Sequence, residues 1–129
     1  MSVPPVIEGL SAHPEMLLTT TSYDTAVSFI SGYDAALLGG LLLGFREWLI
    51  TRLKDGNNLS WPALIDMVTE RSQKESGSIV DDEVRRAMLF DLLFQFLAVR
   101  RSREGMRSIF GGYEAWLATQ SWSRSTERG

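Results

Sequence analysis

Cysteine is absent from this chain of 129 residues, and histidine occurs once, as His13. Without cysteine the sequence offers no disulfide, no thiolate metal ligand and no cysteine nucleophile. His13 stands beside Pro14 with no catalytic or metal-ligating partner close in sequence, so we interpret it as an ordinary surface residue. The lack of cysteine is compatible with a reducing compartment, and we expect a cytoplasmic protein.

Long apolar runs are absent as well. The longest nearly uncharged apolar stretch covers the eleven residues 35–45, between Asp34 and Arg46. A helix that spans a membrane needs about 20 such residues. The first residues of the chain also lack the basic and apolar segments of a signal peptide. We therefore expect no membrane association.

An excess of one charge is also missing. The formal net charge is −3, from 13 basic and 16 acidic residues. Nucleic-acid-binding domains normally have a strongly basic surface, so we do not expect a nucleic-acid partner. Apolar residues make up 44% of the chain and charged residues 22%, which is ordinary for a globular protein. Residues 1–129 are therefore expected to form a single helical domain with one core.

Motifs for catalysis and cofactor binding are missing too. The sequence contains neither the Gly-x-Ser-x-Gly nor the Ser-x-x-Lys pattern of an activated serine. The glycines between positions 39 and 44 lack the Lys-Ser/Thr pair of a phosphate-binding loop. Asp66 and Glu70 share a helix face, but no Glu-x-x-His pair accompanies them. We predict that the protein is not an enzyme and uses neither a metal nor a cofactor.

What the sequence does contain is helical periodicity. Apolar residues recur at steps of three and four, and no alternating strand pattern stands out. Ser22, Ser60 with Pro62, and Asp81 are good helix starts, whereas Gly39-Gly40 and the turn 55–58 are helix stops. The periodicity continues through Gly111-Gly112, which favours one helix there over two. Five helices are expected, at about residues 22–37, 41–54, 60–76, 81–101 and 104–119.

The two ends of the chain lack this periodicity. Residues 1–21 are expected to form an irregular, extended arm, because Pro4, Pro5 and Pro14 disfavour helix. The apolar side chains that would hold this arm on the domain are Val6, Ile7, Leu17 and Leu18. Residues 120–129 form a polar tail. The predicted fold is an all-α, compact irregular bundle of about five helices with an extended N-terminal arm, and the helix 81–101 is expected to be central because it is apolar nearly all round.

Asp91 is the most suggestive single residue, because apolar residues surround it in the sequence. Its carboxylate should be drawn toward the interior, where an unpaired charge costs several kcal/mol. It then pairs with Arg46 or Arg52, or else it faces solvent or a partner together with Gln95. A further reading makes Asp91 a polar group in a pocket for a small molecule.

The block from Gly32 to Trp61 contains most of the other candidates for interaction or for a pocket. They are Tyr33, Asp34, Arg46, Glu47, Asn57 and Asn58. Trp122, alone in the polar tail, is a plausible interface anchor. A basic cluster follows the central helix, and we interpret it as a solvated helix end rather than an anion-binding site. Its members are Arg100, Arg101, Arg103 and Arg107.

These observations favour a binding role. The leading hypothesis is a non-enzymatic module that binds another protein, such as a toxin, in the manner of an immunity protein or antitoxin. One alternative is a helical protein that binds a small molecule near Asp91, Tyr33 and Trp48. Another is a structural homo-oligomer in which a second copy covers the apolar central helix.

Overall fold

The computed structural model describes residues 3–77 and 79–120, and this part of the chain is all-helical. Trp122, one of the candidate residues, lies outside the described residues. Within the described ranges six α-helices follow one another, with a short 3-10 turn at Pro14–Met16 after the first. The helices are α1 Pro5–Ala12, α2 Tyr23–Ala36, α3 Phe45–Leu53, α4 Trp61–Ser76, α5 Asp82–Arg100 and α6 Arg103–Ala118. The all-α prediction is confirmed.

The N-terminal arm differs from the expected extended backbone, because Pro5–Ala12 form a helix. Pro5 occupies the first helical position, where the N–H that proline lacks would have had no partner in the helix. Ile7 and Leu10 are fully buried, so this helix holds the arm on the core. Leu17, expected to help, is 43% exposed.

Helix α5 is the central element, as its composition predicts. It packs against α2, α3, α4 and α6. Its buried side chains are Leu89, Phe90, Leu92, Leu93, Phe96 and Leu97. Phe96 meets Phe45 of α3 with the ring centres 5.0 Å apart, and Phe45 also lies 5.7 Å from Trp61 of α4. The protein's own helices therefore cover the apolar side of α5.

Helix α2 is fixed to α4 and α5 through its first residues. Ser22 caps the helix by accepting a hydrogen bond from the Thr25 amide at 3.1 Å. The Tyr23 hydroxyl donates to the carbonyl of Pro62 at 2.9 Å, and the Arg85 guanidinium lies 4.0 Å from the centre of the Tyr23 ring. Arg85 also donates two hydrogen bonds to Asp66. Burial, with the nearby charge of Asp66, raises the pKa of Tyr23 above its usual range.

The connection between α2 and α3 is longer than the sequence predicts. A helix was expected from Leu41, but α3 begins at Phe45, and residues 37–44 form consecutive turns. Gly39 and Gly44 take positive φ angles of 85° and 92°, which glycine adopts at little cost. Leu38 also has a positive φ, of 54°. The Gly-Gly pair is thus part of a loop of eight residues.

Helices α5 and α6 form a tight hairpin. Only Arg101 and Ser102 separate them, and the Ser102 hydroxyl accepts a hydrogen bond from the Gly105 amide at 2.9 Å. A Cβ atom at Gly105 would lie 1.6 Å from the carbonyl oxygen of Val99, so no side chain fits there. Further along, α6 continues through both glycines as predicted, and a Cβ at Gly112 would lie only 3.3 Å from α3.

Candidate protein-binding surface

Residues 37–44, which we call the leucine loop, present apolar side chains to solvent. Leu37 is 47% exposed, Leu43 is 57% exposed and Leu38 is 97% exposed. Leu41, in the middle of the same loop, is buried and anchors it to the core. Isolated exposed leucines are common in proteins, but three in one loop form an apolar projection.

Asp34, a candidate from the sequence, holds the leucine loop in place. Its carboxylate oxygen Oδ1 accepts hydrogen bonds from the amides of Leu42 at 2.7 Å and Leu41 at 3.1 Å. Its main-chain oxygen accepts another from the Gly39 amide at 2.9 Å. These bonds give the turns the backbone partners that a helix would have supplied. Asp34 therefore has a structural role in shaping the loop.

The loop is also fixed to the end of α5 and to α6. The Arg100 guanidinium donates to the carbonyl of Leu43 at 3.4 Å and lies 5.3 Å from the centre of the Phe96 ring. Burial lowers the pKa of Arg100, and the charge of Asp34 opposes that shift. A Cβ at Gly44 would lie 3.4 Å from Ile109 of α6, so the loop packs closely there as well.

A basic turn lies beside the leucine loop. We give this name to Arg100, Arg101 and Arg103, which span the α5–α6 connection. Arg101 and Arg103 are exposed, and no acidic group among the described residues forms an ion pair with either of them. The Arg100 contact with Leu43 joins the basic turn to the leucine loop. Arg107, the fourth member of the predicted cluster, lies one helical turn further along α6.

Arg46 and Asn57, two other candidates, contact each other. Arg46 of α3 donates one hydrogen bond to the carbonyl of Leu59 at 2.8 Å and another to the carbonyl of Asn57. The side-chain oxygen of Asn57 accepts a hydrogen bond from the Tyr113 hydroxyl at 2.5 Å. Both residues therefore hold the connection between α3 and α4 against α3 and α6.

The remaining candidates of this block, Asn58, Glu47 and Tyr33, form fewer polar contacts. Asn58 lines an open cleft of about 320 Å³ with Asn57 and Trp116. Glu47 and Tyr33 are half-buried, and in the described ranges their side chains form no hydrogen bond or ion pair. No reaction or ligand can be assigned to these positions from their contacts.

Asp91 is exposed rather than drawn into the interior. Its carboxylate accepts a hydrogen bond from Gln95 at 3.0 Å, and Gln95 in turn accepts one from Arg52 at 3.3 Å. Of the alternatives expected from the sequence, the structure matches the one in which the Asp91–Gln95 strip faces outward. Trp48 lines a groove of about 300 Å³, whereas Asp91 lines a different depression beside Arg86. Trp48 and Asp91 therefore line two different depressions, and Tyr33 lines neither of them.

The leucines of the loop were missed as functional candidates, because Leu37 fits a helical stripe. The sequence nevertheless contains a pattern that indicates exposed leucines in this segment. Leu37, Leu38, Leu41, Leu42 and Leu43 flank Gly39-Gly40, and five leucines within seven residues cannot all face one side of a helix.

Among the helices of the described part of the chain, none is long and apolar enough to cross a membrane. Over the same residues no group of three or more histidine, aspartate or glutamate side chains is placed to hold a metal ion.

The fold and its surface define an all-α bundle that presents a hydrogen-bonded apolar loop beside a basic turn. Comparison of the chain with protein-family models, with curated proteins and with solved structures finds no match.

Proposed function

We propose that this protein works by binding another protein and that the leucine loop is its contact surface. The observation that carries the proposal is Leu38, which is 97% exposed and has a φ of 54°. Left-handed backbone costs a leucine about 1–2 kcal/mol, and an exposed side chain gains nothing from burial. Asparagine or glycine would suit this position better in the isolated protein. Leucine is favourable there once a partner buries it, which contributes roughly 1.5–3 kcal/mol.

The way the loop is held also supports binding. Asp34 hydrogen bonds to Leu41 and Leu42, and Arg100 contacts Leu43, so the loop has its shape before any partner arrives. A preorganised contact loses less conformational entropy on association than a flexible one. Proteins that insert an apolar projection into a partner's pocket gain most from this arrangement.

The particular form that we propose is an immunity- or antitoxin-type inhibitor that acts in the cytoplasm. The small size of the chain and its mild net charge of −3 support this form. In this role the leucine loop would occupy a pocket of the partner and block its activity.

The test is comparative capture in the native cell. Tagged wild-type protein and the Leu38→Asp variant are expressed at equal levels, and captured proteins are quantified by mass spectrometry. We expect one partner whose recovery falls at least tenfold with Leu38→Asp, since a charge in place of a buried apolar anchor costs more than about 1.4 kcal/mol. Ile79→Asp is the matched control, because Ile79 is 86% exposed and lies between α4 and α5, outside the leucine loop.

Two results would count against the proposal. One is equal recovery of every partner with wild type and Leu38→Asp. The other is loss of the partner with Leu38→Asp and Ile79→Asp alike. Circular dichroism of both variants establishes that they are folded. The inhibitor form is then tested by assaying the recovered partner's activity with and without the protein.

A further inference from the structure

The end of the molecule that carries the leucine loop is basic, although the whole chain has a net charge of −3. Arg100, Arg101 and Arg103 lie there, and Arg100 contacts the loop at Leu43. The acidic residues Asp81, Asp82 and Glu83 lie at the opposite end of α5, which has 19 residues and is therefore about 28 Å long. The charge of the protein is thus unevenly distributed along its central helix.

The acidic groups near the basic turn do not neutralise it. Asp34 uses its carboxylate to accept hydrogen bonds from the loop amides, and it lies near Arg100 rather than in an ion pair with Arg101 or Arg103. Glu104 is the only acidic residue in the first turn of α6, and it is exposed. Two exposed guanidinium groups therefore remain beside the apolar loop.

The fold itself does not account for Arg103. A base at the C-terminus of a helix, such as Arg100, is stabilised by the helix dipole. Arg103 is the first residue of α6, where the helix dipole disfavours a positive charge. A positive charge at this position is therefore unfavourable for the isolated protein, as the left-handed backbone at Leu38 is.

We infer that the partner of the leucine loop is a protein whose apolar pocket has acidic residues at its rim, so that Leu38 enters the pocket while Arg101 and Arg103 meet the carboxylates. This inference rests on the proposed function. Arginine suits the role because its planar guanidinium binds a carboxylate through two parallel hydrogen bonds. Such rim charges determine which partner is preferred and speed its association.

A protein pocket fits these observations better than an anionic membrane does. The loop has a single shape fixed by Asp34, and a fluid bilayer requires no fixed shape. The protein's overall charge of −3 also opposes adsorption to an anionic surface. A local ion pair avoids that repulsion, because charges beyond about 8 Å are screened at physiological salt.

The experiment uses the full chain, isotope-labelled for NMR, and three synthetic peptides. Each peptide has the same central Leu-Phe-Leu anchor, flanked by Asp and Glu, by Asn and Gln, or by Lys. We expect the acidic peptide to bind at least tenfold more tightly than the amide peptide, with chemical-shift changes concentrated in residues 37–44 and 100–104. Raising the salt concentration should remove most of this preference.

Charge reversal gives the decisive comparison. The double variant Arg101→Glu/Arg103→Glu should prefer the Lys peptide over the acidic one by at least tenfold. Lys74→Glu, a reversal on the exposed face of α4, should keep the wild-type preference. Heteronuclear spectra of both variants check that the fold is retained.

The inference is overturned if no peptide binds, if the peptides bind without regard to charge, or if the shift changes fall outside the leucine loop and basic turn. It is equally overturned if the protein instead binds anionic phosphatidylglycerol vesicles, or if a second copy of the chain covers the loop at the concentrations used. These failures differ from failure of the proposed function. If the proposed function fails, the Leu38→Asp variant captures every cellular partner that the wild type captures, whatever the result of peptide binding.

Discussion

Tyr113 of α6 donates its hydroxyl hydrogen to the side-chain oxygen of Asn57, with the two oxygens 2.5 Å apart. The main-chain oxygen of Asn57 accepts a second bond, from Arg46 of α3. One asparagine therefore links two helices to the connection before α4. This linkage gives Arg46 and Asn57 a structural role.

Replacing Arg46 with alanine should destabilise the protein by about 2–3 kcal/mol, because the carbonyls of Asn57 and Leu59 lose a charged donor. Tyr113→Phe should cost about 1 kcal/mol. Since both side chains hold Asn57, the double variant should lose less than the sum of the two, by about 0.5 kcal/mol or more. Urea unfolding of the four proteins measures this, and strict additivity would contradict the shared role of Asn57.

Asp34→Ala should lower the free energy of unfolding by about 1–2 kcal/mol, because the amides of Leu41 and Leu42 lose their acceptor. Hydrogen exchange at these two amides should accelerate more than elsewhere in the protein. Asp34→Asn keeps an acceptor oxygen and should lose less. Asp91→Ala is the control, since the exposed Asp91 bonds only to Gln95 among the residues that the structure describes, and its loss should change stability by less than about 0.5 kcal/mol.

Leu38→Asn should leave the isolated protein at least as stable as the wild type, with a gain of up to about 1 kcal/mol, because asparagine tolerates positive φ better. Thermal unfolding measures the change. A clear loss of stability would mean that Leu38 packs against the protein's own core. Leu41→Asn is the contrasting variant, and it should be strongly destabilising because Leu41 is buried.

Stability should fall above pH 10 partly through Tyr23. Burial raises the pKa of Tyr23 in the folded state above the value near 10 of an unfolded tyrosine. The folded state therefore retains this proton longer, and the resulting stability is fully present below pH 10 and lost as the pH rises toward the folded pKa. Tyr23→Phe should cost about 1 kcal/mol at pH 7, through its lost bond to Pro62. Its stability should then decline less steeply than that of the wild type between pH 10 and pH 11, as urea unfolding at each pH would measure.

Helix ends were largely predictable from the sequence, because capping depends on residues that are close along the chain. Ser22 caps α2 as expected, and α4 begins after Ser60 with Pro62 in its first turn. The prediction of an extended N-terminal arm was wrong, and the reason is also the chemistry of a helix start. Proline disfavours a helix when it lies in the interior of one, but at the first helical position, which Pro5 occupies, it is compatible with one.

The conformation of the leucine loop depends on a hydrogen-bond partner beyond the four-residue reach of a helix, and the exposure of Asp91 depends on packing. Periodicity assigns Leu41 to a helix, but Asp34, seven residues earlier, supplies the acceptor that stabilises turns instead. The apolar neighbours of Asp91 indicate burial. In a helix, however, adjacent residues point in different directions, so Asp91 is exposed although Phe90 and Leu92 beside it are buried. Neither outcome can be derived from local pattern alone.

The tight hairpin between α5 and α6 restricts which residues can be substituted during evolution. Position 105 admits only glycine, because any Cβ would collide with the Val99 carbonyl. Arg101 and Arg103 have no such steric requirement. In lineages that share an ancestor with this chain, glycine at 105 should persist for as long as the hairpin does. A base at 101 and 103 should persist only while selection acts on charge, so the drift of these two positions would record when the surface gained or lost its use.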